Sequence, residues 1–178
     1  MIFSLFRKDP RAQLVEELHR RIDHSVREPA LYLRLGVPDT PEGRFECLSL
    51  HMVLTLRALR RLPPPAGEMA QELVDAFFRQ LDGSLREMGV GDMGVPKRMK
   101  QLAQVFYGRA AAYDRALDSG DRQGLAALLA GHFGGKEPLH GLARYVLDSE
   151  AGLRAASLET LLADGPRFTA SCATEDAR

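Results

Sequence analysis

Between Met69 and Leu117 the apolar residues keep a three-to-four-residue spacing that is interrupted once, by glycine and proline. Met69, Leu73, Phe77, Leu81 and Leu85 recur every fourth residue, and Met99, Leu102, Phe106, Ala110, Tyr113 and Leu117 resume the pattern after the break. That spacing keeps a stripe on one face of a helix; a strand, with its period of two, scatters it over both faces. Val74, Phe78 and Met88 widen the first stripe. A face so broad is either buried on more than one side or kept as an open groove for a partner, and burial at the centre of a bundle is the default expectation.

The rest of the chain is punctuated in the same way. Pro10 opens a helix carrying Leu14, Leu18, Ile22 and Val26, and Pro29 ends it. Leu31, Tyr32, Leu33 and Leu35 form a short apolar segment before the turn from Gly36 to Pro41. Thr40 and Pro41 suit the cap and first position of a helix with Phe45, Leu48, Met52, Leu56 and Leu59 on one face, stopped by Pro63, Pro64 and Pro65. Later helices are expected after Asp121 and Pro138, and a last one around Leu158 to Leu162. No stretch reads as a strand and no repeat is visible. The predicted fold is all-α, a compact single-domain bundle of about six to eight helices over residues 10–165, with an apolar and basic tip (1–9) and a flexible tail (166–178). The 178 residues, 45% of them hydrophobic, are enough for one core.

The central break contains Gly89, Gly91 and Gly94, spelling the dinucleotide pattern G-x-G-x-x-G. That pattern binds a pyrophosphate only where it follows a strand, and here a helical stripe precedes it. The expected reading is a helix end at Gly89, with Gly91 or Gly94 also at positive φ, Asp92 capping the next helix and Pro96 in its first turn. Neither NAD nor ATP binding is expected. Lys97, Arg98 and Lys100 then place three cations where the helix dipole favours anions. They make a local anion-attracting surface, suited to a carboxylate, a lipid phosphate or RNA.

A formal net charge of zero argues against a general nucleic-acid binder. Cys47 and Cys172 form no disulfide framework or zinc motif. No apolar run approaches the ~18 residues of a membrane span, and the start MIFSLFRKD has the wrong order for a signal peptide. A cytoplasmic protein is expected, with the tip able to touch a bilayer weakly. His19 and Asp23, one turn apart, are the best metal candidates, but they read as a surface pair. His51, beside an apolar face, reads as a packed core histidine, with client contact as the alternative. No nucleophile has an activating context. No enzyme activity, cofactor or metal is expected.

Two runs carry a resemblance to a known family. GVGDMGVPKRMKQLAQVFYGRAAAYDRAL, from Gly89, and LYLRLGVPDTPEGRFECLSLHMVLTL, from Leu31 to Leu56, strongly resemble the ubiquinol–cytochrome c chaperones, assembly factors for cytochrome b. A weaker likeness extends over roughly residues 10 to 165. The resemblance implies a non-enzymatic chaperone that holds newly made cytochrome b for assembly of the bc1 complex, with contact at the ribosome or the membrane surface. Mitochondrial relatives work near the ribosomal exit with a small partner protein. Because both runs open a helix with proline after a glycine-bearing turn, one shared surface is expected. Arg44, Phe45 and His51 would border it from the first run and Asp92, Met93, Lys97, Arg98 and Lys100 from the second, flanked by Tyr107 and Arg109. The competing reading is a carrier or enzyme with a lipid or quinone in an interhelical pocket.

Overall fold

The computed structural model describes residues 10–168, and in these the chain forms eight helices and no strand. They are α1 (Pro10–Ser25), α2 (Pro29–Leu33), α3 (Pro41–Arg60), α4 (Ala66–Glu87), α5 (Val95–Ser119), α6 (Arg122–His132), α7 (His140–Ala155) and α8 (Leu158–Ala163). The all-α bundle is as the periodicity dictates. The tip at residues 1–9 and residues 169–178 lie outside the described part. Pro166 is buried and Phe168 packs edge-on against His51, so packing continues past Gly165.

Local signals start and stop the helices where the sequence places them. The Thr40 hydroxyl accepts the Gly43 N–H at 3.1 Å, the Asp121 carboxylate accepts the Gly124 N–H at 2.9 Å, and Ser157 accepts the Thr160 N–H at 3.1 Å. Each satisfies a backbone donor that the first helical turn leaves unpaired. Gly43 also permits a close approach, because any Cβ there would collide with the Pro38 carbonyl. That contact folds the 36–41 turn onto the start of α3.

The centre of the bundle is α3 rather than α4. Every residue of α3 from Glu46 to Leu59 is buried, as α1, α4, α5 and α7 pack around it. The single stripe expected from Phe45 to Leu59 understates this, since a helix surrounded on all sides has no solvent face. Conversely, α4 is amphipathic: Met69, Leu73 and Phe77 are buried, while Leu81 is half-buried and Met88 is exposed. On α1 the core face is Val15, Leu18, His19 and Ile22; Leu14, expected inside, points outward.

The central turn differs from expectation in one respect. Gly89 has φ +80°, its N–H bonds to the Arg86 carbonyl, and the Val90 N–H bonds to that of Leu85, which closes α4 in a left-handed cap. Gly91 and Gly94 do not have positive φ. One left-handed residue suffices to reverse the chain, and the turn continues through hydrogen bonds from the Gly94 and Val95 N–H groups to the Gly91 carbonyl. Asp92 does not cap α5. Its carboxylate accepts from Arg86 at 2.6 Å, and the α5 cap position is Gly94, with Pro96 inside the first turn. Gly89→Ala therefore lowers unfolding stability by about 1 kcal/mol, whereas Gly91→Ala, with open space around it, changes it by less than about 0.5 kcal/mol. Urea midpoints of the two variants check this ordering.

Candidate functional site

The C-terminal half of the α4 stripe leads to a concavity among the described residues. Beyond Phe77 the stripe continues as Leu81, Leu85 and Met88. Together with Val26, Tyr32, Leu33, Phe45 and Leu48 on one side and Leu102 and Val105 on the other, these residues line an open groove of about 900 Å³. Its walls are the end of α1, the short α2, the start of α3, the second half of α4 and the first turns of α5. The Tyr32 hydroxyl donates to the Val26 carbonyl at 2.6 Å and so locks α2 against α1 as one wall.

The lining residue Phe45 belongs to an aromatic cluster. Phe45 stacks on Phe77 with ring centroids 6.4 Å apart, and Phe77 contacts Phe106 at 5.0 Å. Phe78 and Tyr107 extend the ring cluster to the surface. The rim carries apolar side chains in contact with solvent: Leu33 is 83% exposed, Met88 67% and Val105 39%. Single exposed apolar residues are ordinary, but several on the lip of one apolar groove mark an interaction surface. The polar lining is largely self-neutralised, since Arg44 pairs with Asp39 at 2.7 Å and Arg27 with Asp23 at 2.9 Å.

The residues expected to share a surface divide into three groups. Arg44 and Phe45 line the groove, opposite Leu102 and Val105 of α5. Arg98 stands one turn before Leu102 on the same helical stripe, so the basic start of α5 continues one wall of the groove. Met93 is 96% exposed, and Lys97, Arg98 and Lys100 are exposed without an ion pair among the described residues. Tyr107 is exposed at the edge of the ring cluster, and Asp92 is bound to Arg86.

His51 and Arg109 belong to the scaffold instead. Arg109 of α5 grips buried Glu46 of α3 through three hydrogen bonds of 2.8–3.1 Å, a charge-assisted fork that docks the two helices. His51 is fully buried. Its Nδ1 lies 2.7 Å from the Cys47 carbonyl, which can only accept, so Nδ1 carries the proton and Nε2 accepts from the Tyr145 hydroxyl at 2.7 Å. A histidine satisfied at both nitrogens inside the bundle cannot border the groove. His19, expected at the surface, is also buried, and Asp23 bonds to Arg27 and Gln80. No group of three or more His, Cys, Asp or Glu among the described residues is placed to hold a metal.

The groove residues that sequence reasoning missed are Leu33, Leu81, Leu85, Met88, Leu102 and Val105 as a set. Of these, only Met88 carried a signal, as part of the excess width of the stripe that α4 bears. Which part of that stripe stays open depends on the position of α2, and no local pattern reports it.

The family model for the ubiquinol-cytochrome C chaperone matches residues 33–168. The chain belongs to this family. A solved structure, the crystal structure of the Cbp3 homolog from Brucella abortus, superposes with a TM-score of 0.80 at 42% identity, covering 95% of this chain and 97% of that one. No curated protein matches. The matched segment contains the groove walls from Leu33 onward, including both prolines that open α3 and α5. No helix among the described residues is long and apolar enough to cross a membrane.

Burial pushes the His51 pKa down to about 4, below the ordinary 6.5. The half-buried His132 is lowered to about 4 by burial and by the Arg109 charge. For such groups the unfolded chain binds more protons between the two values, so stability is complete above pH 6.5 and is lost as pH falls toward 4. For His51 alone the loss is on the order of 3 kcal/mol. Denaturant midpoints measured from pH 7 to pH 4 fall accordingly, and His51→Gln, though less stable at neutral pH, shows a shallower decline.

Proposed function

We propose that the groove receives an apolar segment of newly made cytochrome b, and that the protein acts without catalysis as a chaperone in assembly of the bc1 complex. The observation that carries this reading is an apolar groove with Leu33, Met88 and Val105 exposed on its lip, in a member of a chaperone family. A segment destined for a bilayer is apolar along its body and polar at its ends. The groove matches the body with Phe45, Leu81 and Leu85; Arg44 is part of its lining, and Arg98 stands one helical turn before the lining residue Leu102. Helix-in-groove binding needs this kind of open, preformed trough, and the ring cluster beneath it keeps the trough from collapsing.

A second reading has one observation in its favour. The groove volume of about 900 Å³ falls within the usual range of small-molecule sites, so a lipid or quinone carrier is the alternative. Native mass spectrometry of gently purified protein separates the two readings, because a carrier retains a stoichiometric ligand.

The direct test replaces lip residues that contribute little to the core. Leu33→Asp combined with Val105→Asp keeps the melting temperature within a few degrees while reducing co-purification of cytochrome b by about tenfold or more. Cells relying on this variant accumulate less assembled bc1 complex. Undiminished co-purification by the folded double variant refutes the groove as the client site.

A further inference from the structure

We infer that the turn between α4 and α5, with the basic start of α5, is a docking surface for an anionic lipid bilayer. This rests on the groove reading only for the direction in which the surface faces, and its test needs no client. Met93 is 96% exposed on the turn and Met88, where α4 ends, is 67% exposed. Lys97, Arg98 and Lys100 follow within one turn of helix, all exposed, and none of their side chains has an ion-pair or hydrogen-bond partner among the described residues. The arginines nearby are neutralised: Arg86 by Asp82 and Asp92, Arg44 by Asp39, Arg27 by Asp23. The first turn of α5 contains no acidic residue, so nothing within it offsets the three cations.

An apolar side chain at the apex with cations just behind it has the chemistry of an interfacial anchor. Met93 enters the acyl boundary while the ammonium and guanidinium groups meet lipid phosphates. Charge complementarity selects an anionic bilayer over a neutral one. RNA fits less well, because single-strand binding depends on exposed rings for stacking, and the turn has none; Tyr107, exposed two turns further on, stands with its ring against Phe78 and Phe106. Because the basic residues continue the α5 wall of the groove, docking of this tip would bring the groove to the membrane surface, where an apolar client segment emerges. The turn is held in shape by the Gly89 cap and by Val95, which is buried, so the surface is presented ready-made.

The test is flotation of the full chain with vesicles of phosphatidylcholine alone and of phosphatidylcholine containing about 30% phosphatidylglycerol, a content that gives a strong negative surface potential. The protein is expected to float with the anionic vesicles at low salt, not with the neutral ones, and to be released as salt rises. Changing Lys97, Arg98 and Lys100 together to Gln weakens the partition on the order of 100-fold, and Met93→Asp weakens it about tenfold. All these positions are exposed, and unchanged melting curves verify that the variants are folded. Leu33→Asp, on the opposite wall of the groove, leaves flotation intact while impairing client capture, so the lipid surface and the client site fail independently. Equal flotation of the triple-Gln variant, or equal loss with Leu33→Asp, overturns the assignment. Absence of vesicle binding together with saturable single-stranded RNA binding that the triple variant loses overturns it in favour of RNA.

Discussion

The structure depends on the burial of Glu46 to Leu59, the greater part of one helix that is not purely apolar. Along α3, Glu46, His51, Thr55 and Arg57 are all inside, and three of them hydrogen-bond to other helices. Glu46 takes the Arg109 fork from α5, and His51 accepts from Tyr145 of α7. Arg57, 6% exposed, donates to Asp114 and Asp118 of α5 and reaches Glu150 of α7. A buried charge without its partner is costly, so these contacts admit one register of α5 and α7 against α3. Leucine packing alone tolerates sliding by a turn; a fork and a hydrogen-bonded ring do not.

This keying explains why a groove can persist beside the core. An apolar trough with exposed methionine and leucine on its lip is under pressure to close. Here α4 and α5 are held apart at their turn by contacts made elsewhere: the Phe77–Phe78–Phe106 cluster fills the space beneath the groove, and the polar ties fix α5 on α3. On the other wall, the Tyr32 hydroxyl and the Pro38–Gly43 approach pin α2 and its following turn. The groove is thus the edge of a core whose register is set by polar contacts several turns away.

How much of this was legible before the coordinates follows from which forces are local. The helices and their caps at Thr40 and Asp121 were legible, because a hydroxyl or carboxylate three residues ahead of an open N–H is a contact within one turn. The failure of G-x-G-x-x-G as a nucleotide loop was legible too, because the stripe before it is helical. The three cations at the start of α5 stood out against the helix dipole. The φ values were less accessible: Gly89 alone takes the left-handed conformation, since one such residue completes the cap and the following glycines have no further reversal to make.

What the sequence by itself determined is the all-α class, most helix boundaries, the family and the existence of an unusually broad apolar face on α4. Those are properties of spacing, and spacing is carried by the chain. Only the tertiary structure decided that α3, not α4, is the central helix, that His51 and Arg109 serve the scaffold, and that the second half of the α4 stripe lines a groove. Each of those outcomes turns on which neighbour covers which face, and apolar side chains lack the directionality to announce their partners in advance. His51 and Tyr145 are 94 residues apart in the chain and 2.7 Å apart in space; only the packing of α7 on α3 could turn a lone histidine into a structural one.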